Sequence, residues 1–187
     1  MMEEVIEEVW ETIPEFPNYR ISNMGRVYSD LRDHIMKSTK NNWGHMKVNL
    51  ASEWDASKWT RSVALLVAQT FVENTDPLRF TGIIILDGNF ENVAAHNIMW
   101  RPEWFVWKYT RQLKEEQPIH YHNLPVIDSE GLRYDSVIEA GISNGMLFHD
   151  IWMSCHDGVA YCPNILTFEI DQDKVERGMS SQKIHSI

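Results

Sequence analysis

Cysteine is scarce in this chain, and long apolar runs are missing. Cys155 and Cys162 are the only cysteines among 187 residues, which excludes a disulfide framework and suits a reducing compartment. No apolar run approaches the length needed to span a bilayer. The first residues are acidic where a signal peptide would be basic. These shortages predict a soluble, cytoplasmic protein without a membrane partner.

Basic residues are outnumbered as well. The chain has 17 Lys and Arg against 27 Asp and Glu, a formal net charge of −10 at pH 7. This balance argues against a simple nucleic-acid binder, which relies on cations at phosphates. The charge is unevenly distributed, however. Residues 16–65 hold eight Lys or Arg against four acids, whereas residues 125–187 hold four against ten.

What the sequence does contain begins with a folded core, since hydrophobic residues make up 43% of it. Within that content, residues 83–100 outline a strand, a turn and a second strand before a helical pattern at 103–117. The apolar run from Ile83 to Leu86 enters Asp87-Gly88-Asn89, a tight turn that favours a two-stranded hairpin. The segment is therefore predicted to form a ββα unit.

This ββα unit resembles the HNH motif of phage intron-encoded homing endonucleases. The positions that match the motif are Asp87, Gly88, Asn89, Asn92, Asn97 and Trp100. In that family a His is the general base, and the preceding Asp and a later Asn complete a site for one divalent cation.

The resemblance places the Asp at Ile84, the His at Ile85 and the Asn at Val106, and a further family His at Ala64. None of these side chains can accept a proton or bind a hard cation. The resemblance therefore implies a nuclease scaffold that is not an enzyme. The alternative is an ordinary buried strand beside an ordinary Asp-Gly turn.

The N-terminal segment from Trp10 to Ser29 resembles the nuclease-associated modular domain often fused to these enzymes. It is predicted to form short strands at Arg20–Ser22 and Arg26–Ser29, with Gly25 supplying a positive φ in the turn between them. Ser62 is the expected N-cap of a buried helix that ends at Phe71.

In the related endonucleases this N-terminal sheet lies along DNA, so the resemblance implies a surface that contacts the phosphate backbone. The candidate nucleic-acid-binding residues are Arg26, Lys37, Lys40, Lys47, Lys58 and Arg61. The alternative is a half-solvated sheet that carries ordinary surface lysines.

Residues 125–170 resemble the intron-encoded nuclease repeat, with a hairpin at Asp128–Gly131 and a helix capped by Ser136. In that family two helices read the major groove. Here the second helix, from about Met146 to Cys155, has no Lys or Arg and contains Asp150. Its negative charge is unfavourable for contact with phosphates. His149, Cys155, His156 and Cys162 fit no standard zinc-finger spacing, so neither a metal nor a cofactor is expected.

The sequence therefore predicts an α+β chain of three small modules at residues 9–60, 61–117 and 125–170, with a linker at 118–124 and a polar tail at 171–187. The expected function is that of a catalytically inactive homing-endonuclease-like phage protein that regulates by binding DNA. The alternative is a protein-binding inhibitor or accessory subunit, directed at a host or competing-phage enzyme through acidic residues 125–170. A nuclease with relocated ligands ranks third.

Overall fold

The structure, a computed structural model, describes residues 7–52, 57–114 and 120–177. The chain divides into two compact units, residues 1–103 and 104–187. Each unit combines helices with small antiparallel sheets, which confirms the α+β class; the three module boundaries stay a prediction. Within the described ranges, no helix is both long enough and apolar enough to cross a membrane.

The first sheet of the first unit is a four-stranded meander. It pairs β1 (Trp10–Ile13), β2 (Phe16–Ser22), β3 (Val27–Ser29) and β4 (His34–Ile35) in that order. The turn between β2 and β3 contains Gly25 at φ 83°, as predicted. A Cβ at Gly25 would lie 2.3 Å from Cγ2 of Val93, so glycine is also required for contact with the loop that contains Val93.

A second sheet leads into the buried helix of this unit. It pairs β5 (Thr39–Lys40), β6 (Met46–Ala51) and β7 (Lys58–Ser62) in that order, and α1 (Val63–Phe71) follows at once. The Ser62 hydroxyl accepts a hydrogen bond from the Leu65 amide at 3.4 Å, which confirms the predicted cap. Val67 of α1 and Leu50 of β6 are both fully buried in the core of this unit.

The third sheet carries the HNH-like segment. It consists of β8 (Gly82–Ile85) and β9 (Ile98–Arg101), paired from Gly82 with Arg101 to Ile85 with Ile98. The predicted hairpin differs in one respect: the Asp87 turn does not lead directly into the second strand. Residues 86–97 intervene and end in a 3-10 turn at Ala95–Asn97. We call them the Asp87 loop.

The second unit contains a helical pair over a small sheet. Its elements are α2 (Glu103–Gln112), β10 (Val126–Asp128), β11 (Arg133–Tyr134), α3 (Val137–Asn144), α4 (Phe148–Asp157) and β12 (Phe168–Ile170). The strands pair in the order β11-β10-β12. The Ser136 hydroxyl accepts from the Glu139 amide at 3.0 Å, the predicted cap of α3. Helix α2 ends at Gln112, earlier than predicted, and residues 115–119 lie outside the described ranges.

Two segments that the sequence assigned to irregular chain are packed into this unit. In the predicted linker, Tyr121 is buried and stacks on Trp152 with ring centroids 5.1 Å apart. In the predicted tail, Asp171 is 3% exposed and residues 172–177 are helical. Both carboxylate oxygens of Asp171 accept from the Arg133 guanidinium at 2.8 Å. The partners of Tyr121 and Asp171 lie far away in the sequence, so local polarity does not reveal this packing.

Candidate functional site

The end of β8 is the place where the resemblance locates the general base and a metal ligand. Ile84 is 1% exposed and Ile85 7%, and they pair with Met99 and Ile98 of β9. Their side chains have no atom that could take a proton or hold a cation. Val106 is half-buried on α2, and Ala64 is buried on α1.

The Asp87 loop keeps the polar residues of the motif and uses them to hold its own backbone. Asp87 Oδ1 accepts from the Asn89 amide at 2.8 Å and from Asn97 Nδ2 at 2.9 Å, while its Oδ2 accepts from Asn92 Nδ2 at 2.7 Å. Asn97 Oδ1 in turn accepts from the Asp87 amide at 3.1 Å. Four of the six residues that match the motif, Asp87, Asn89, Asn92 and Asn97, thus form a connected hydrogen-bond network.

This network also sets the ionisation of Asp87. Partial burial opposes ionisation, but hydrogen bonds from Asn97, Asn92 and the Asn89 amide outweigh it and hold the pKa of this carboxyl below its ordinary value. Asp87 is therefore a charged structural acceptor whose oxygens face amide donors.

A divalent cation does not fit the residues at this position. Both oxygens of Asp87 are engaged by nitrogen donors, and the adjacent Ile84 and Ile85 supply no oxygen or nitrogen ligand. In the part of the chain that the structure describes, no group of three or more His, Cys, Asp or Glu could hold a metal. Burial, with a smaller contribution from Glu169, raises the pKa of the Cys155 thiol to about 11, which disfavours the thiolate that metals bind.

The six candidate DNA-contacting cations fall into two groups. One group forms ion pairs with acids of the same unit: Arg26 with Glu8, Lys40 with Glu91 at 2.5 Å, and Arg61 with Glu15 at 3.2 Å. The other group, Lys37, Lys47 and Lys58, has no ion pair among residues 7–52, 57–114 and 120–177. The structure therefore does not bring all six into one free cationic surface.

Strand register separates these cations further. Lys47 of β6 pairs with Thr39 and Ser62, and Ala51 pairs with Lys58. Directly paired residues of antiparallel strands project from the same face, and the alternate residues Val48 and Leu50 are buried. Lys47 and Lys58 therefore project on the outer face of this sheet.

The outer face combines these two lysines with neutral hydrogen-bonding side chains. We call it the polar face; it comprises Thr39, Lys47, Asn49, Lys58 and Thr60. Thr60 donates to Asn49 Oδ1 at 2.7 Å, and none of the five residues is acidic. Lys40 and Arg61 pair with Met46 and Val48 and so project from the opposite side.

Sequence reasoning missed the neutral members of the polar face. Lys47 and Asn49 alternate with buried Val48 and Leu50, so the period of β6 could have assigned Asn49 to the same side as Lys47. Thr39 and Thr60 come from neighbouring strands, and only the register of the sheet shows that they share this face.

The second unit uses its acids differently. Asp128 is 6% exposed, and its oxygens accept from the Glu130 and Leu132 amides and from the Tyr134 hydroxyl at 2.9–3.0 Å. Further carboxylates are engaged locally: Asp135 with Lys174, Glu139 with the Asp135 amide, and Asp157 with the Val159 amide and the Tyr161 hydroxyl. These acids stabilise turns and caps of their own unit.

Comparison with known proteins agrees with this architecture. Residues 8–51 match the NUMOD4 motif. An uncharacterized HNH endonuclease of Acanthamoeba polyphaga mimivirus is 33% identical over 95 residues, which is 50% of this chain. The matched segment spans only 23% of that viral protein.

A solved structure shows the same fold over most of the chain. The HNH homing endonuclease I-HmuI, studied for DNA binding and cleavage, matches 88% of this chain and 98% of its own, with a TM-score of 0.50 and 20% identity. The resemblance to HNH homing endonucleases drawn from the sequence is thereby confirmed, and residues 8–51 match the NUMOD4 motif.

Proposed function

We propose that this protein binds double-stranded DNA through the polar face and acts as a regulator that does not cut. The observation that carries the proposal is the composition of that face. Lys47 and Lys58 supply positive charge, while the Thr39 hydroxyl and the Asn49 amide group supply neutral donors. Lysine, threonine and asparagine are side chains that contact phosphate oxygens in protein–DNA complexes. The relatives are HNH endonucleases, which supports DNA as the partner.

Binding without cleavage is supported by the end of β8. Hydrolysis of a phosphodiester needs a base for water and a cation at the phosphate. Ile84 and Ile85 are packed into the unit at the positions where the resemblance expects those groups. The intact Asp87 network is explained by its structural work in the loop, without a catalytic role.

The alternative, a protein-binding inhibitor or accessory subunit that uses acidic residues 125–170, receives less support. Asp128, Asp135, Glu139 and Asp157 are engaged inside the second unit. A carboxylate that already accepts hydrogen bonds from its own fold offers less to a partner. We therefore favour DNA.

The binding test compares two double variants of equal charge change. K47E/K58E reverses the lysines of the polar face, and R32E/R79E reverses two exposed arginines outside it. Binding of each protein to a fluorescent mixed-sequence duplex is followed by anisotropy at about 0.15 M salt, where the Debye length is about 8 Å. We expect K47E/K58E to lose about 100-fold in affinity and R32E/R79E much less, since net charge alone acts through a screened field. Equal losses, or no binding by the unmodified protein, would contradict the proposal.

The cleavage test uses supercoiled plasmid with Mg²⁺ or Mn²⁺. We expect no nicking above the buffer control. Nicking that disappears in D87N or N97A would show that the Asp87 loop is an active site and would overturn the non-cutting assignment.

A further inference from the structure

Helix α2 leaves two tryptophans in solvent. Trp104 is 55% exposed and Trp107 65%, whereas Phe105 and Tyr109 of the same helix are 1% and 0% exposed. Large aromatic side chains commonly pack in a core. The structure assigns that role only to Phe105 and Tyr109. The two exposed tryptophans therefore do not belong to the core of their unit. Exposed aromatic surface of this kind can mark a binding site.

Each ring has a cation four residues further along the helix. Lys108 Nζ lies 5.2 Å from the centroid of Trp104, and the Arg111 guanidinium carbon lies 5.3 Å from that of Trp107. Positions 104, 107, 108 and 111 follow the spacing that places side chains on one helical face. We call these four residues the Trp ridge.

Carboxylates among the described residues are also associated with this helix. Glu103 is exposed in the first turn of α2, where the positive end of the helix dipole stabilises a carboxylate. Lys108 interacts electrostatically with the half-buried Asp150. The ridge combines two rings with two basic side chains.

We propose that the Trp ridge binds unpaired nucleotides of DNA, with bases stacked on Trp104 and Trp107 and phosphates near Lys108 and Arg111. Single-strand-binding surfaces combine these two elements, since every base has a π-face and every nucleotide carries a phosphate. Cations placed beside the rings by cation–π contacts add charge complementarity for an anionic, aromatic ligand. The polar face has lysines but no aromatic side chain.

The inference rests on the proposed DNA association and extends it. The polar face contacts a duplex backbone, and the Trp ridge contacts strands that have separated. A protein with both surfaces would prefer DNA that contains an unpaired segment over a continuous duplex.

The test measures anisotropy of the full-length chain with two probes, a fluorescent oligo-dT strand and the mixed-sequence duplex. W104A/W107A removes both rings but keeps the cations. W104L/W107L keeps apolar bulk, and W104F/W107F keeps ring faces. W43A is the matched control, because Trp43 is 80% exposed at the turn between β5 and β6. Thermal unfolding checks that every variant folds. We expect all of them to fold, because both tryptophans are exposed and contribute little to the core.

We expect W104A/W107A to bind oligo-dT about 100-fold more weakly, on the order of tenfold for each lost stack. W104L/W107L should lose about as much, whereas W104F/W107F and W43A should stay within a few-fold of the unmodified chain. Duplex affinity should be unchanged in all four variants.

The inference is overturned if W104A/W107A binds oligo-dT normally, if the leucine variant binds as well as the phenylalanine variant, or if the chain binds only duplex. In those cases the proposed duplex binding stands. If the chain bound neither probe, both the proposed function and this inference would be contradicted.

Discussion

The polar face and the acidic second unit differ in what their charged side chains contact. Lys47 and Lys58 project from the outer side of a sheet and form no ion pair among the described residues. Asp128 and Asp171 are nearly buried and accept hydrogen bonds from their own unit. The two regions have opposite formal charge: the two lysines project from an outer face, whereas Asp128 and Asp171 are used within their own fold.

The same distinction applies within the HNH-like segment. The motif residues that persist, Asp87, Asn92 and Asn97, are bound to one another in the loop. The positions that differ, Ile84 and Ile85, are those that the resemblance assigns to chemistry. The hydrogen-bond network holds the backbone of this loop independently of any cleavage of DNA. It can therefore be retained when the side chains at the catalytic positions of the motif are replaced.

The largest expected effect concerns the buried carboxylate of Asp128 in the second unit. D128A removes a buried acceptor for two backbone amides and the Tyr134 hydroxyl. We expect a loss of about 4 kcal/mol in the free energy of unfolding of the second unit. Urea unfolding followed by circular dichroism measures it. E130A, at an exposed neighbour, should change stability by less than about 0.5 kcal/mol. Equal losses would show that Asp128 is not a structural acid.

A smaller effect tests whether Lys47 and Lys58 contact DNA. K47Q/K58Q removes two positive charges without adding negative ones. If both lysines neutralise phosphates, the slope of log affinity against log salt should fall by about 1.8, since each contact contributes about 0.9. R79Q, outside the polar face, should leave the slope unchanged. A slope that is the same in all three proteins would remove Lys47 and Lys58 from the interface.

Local patterns predicted much of this fold, and long-range contacts account for the rest. Some features can be predicted from the sequence because each depends on residues within a few positions. They are the Gly25 turn, the Ser62 and Ser136 caps and the alternation of β6. The buried Tyr121 stacks on Trp152, a distant partner that composition does not reveal.

For the same reason, the six cations grouped from the sequence overlap the polar face only at Lys47 and Lys58. Charge alone grouped Lys40 and Arg61 with Lys47 and Lys58. Their acidic partners are distant in sequence, with Glu91 beside Lys40 and Glu15 beside Arg61. Sheet register then separates the two pairs by face. Likewise, exposure of Trp104 and Trp107 could not be told from burial of Phe105 and Tyr109 by residue type.

The Asp87 network should show itself in the pH dependence of stability. The folded-state pKa of Asp87 is depressed, so its stabilisation is present above the unfolded pKa, about 3.9, and is lost as pH falls through the lower folded value. D87N should cost about 1 kcal/mol at pH 7, a small figure because the carboxylate is exposed to solvent, and should weaken the acid-induced fall in thermal midpoint. E169Q serves as the control. Identical midpoints for D87N and the unmodified chain from pH 3 to 7 would contradict this role.

The smallest expected effect separates a paired lysine from an outward one. Lys40 forms an ion pair with Glu91 and lies on the opposite side of the sheet from Lys47. At about 0.15 M salt the Debye length is about 8 Å, so a lysine that does not touch DNA has little influence on binding. We expect K40Q to change duplex affinity by less than about twofold and K47Q to weaken it about tenfold. Because both substitutions remove one charge from neighbouring strands, equal losses would show that the face on which a lysine lies does not decide contact with DNA.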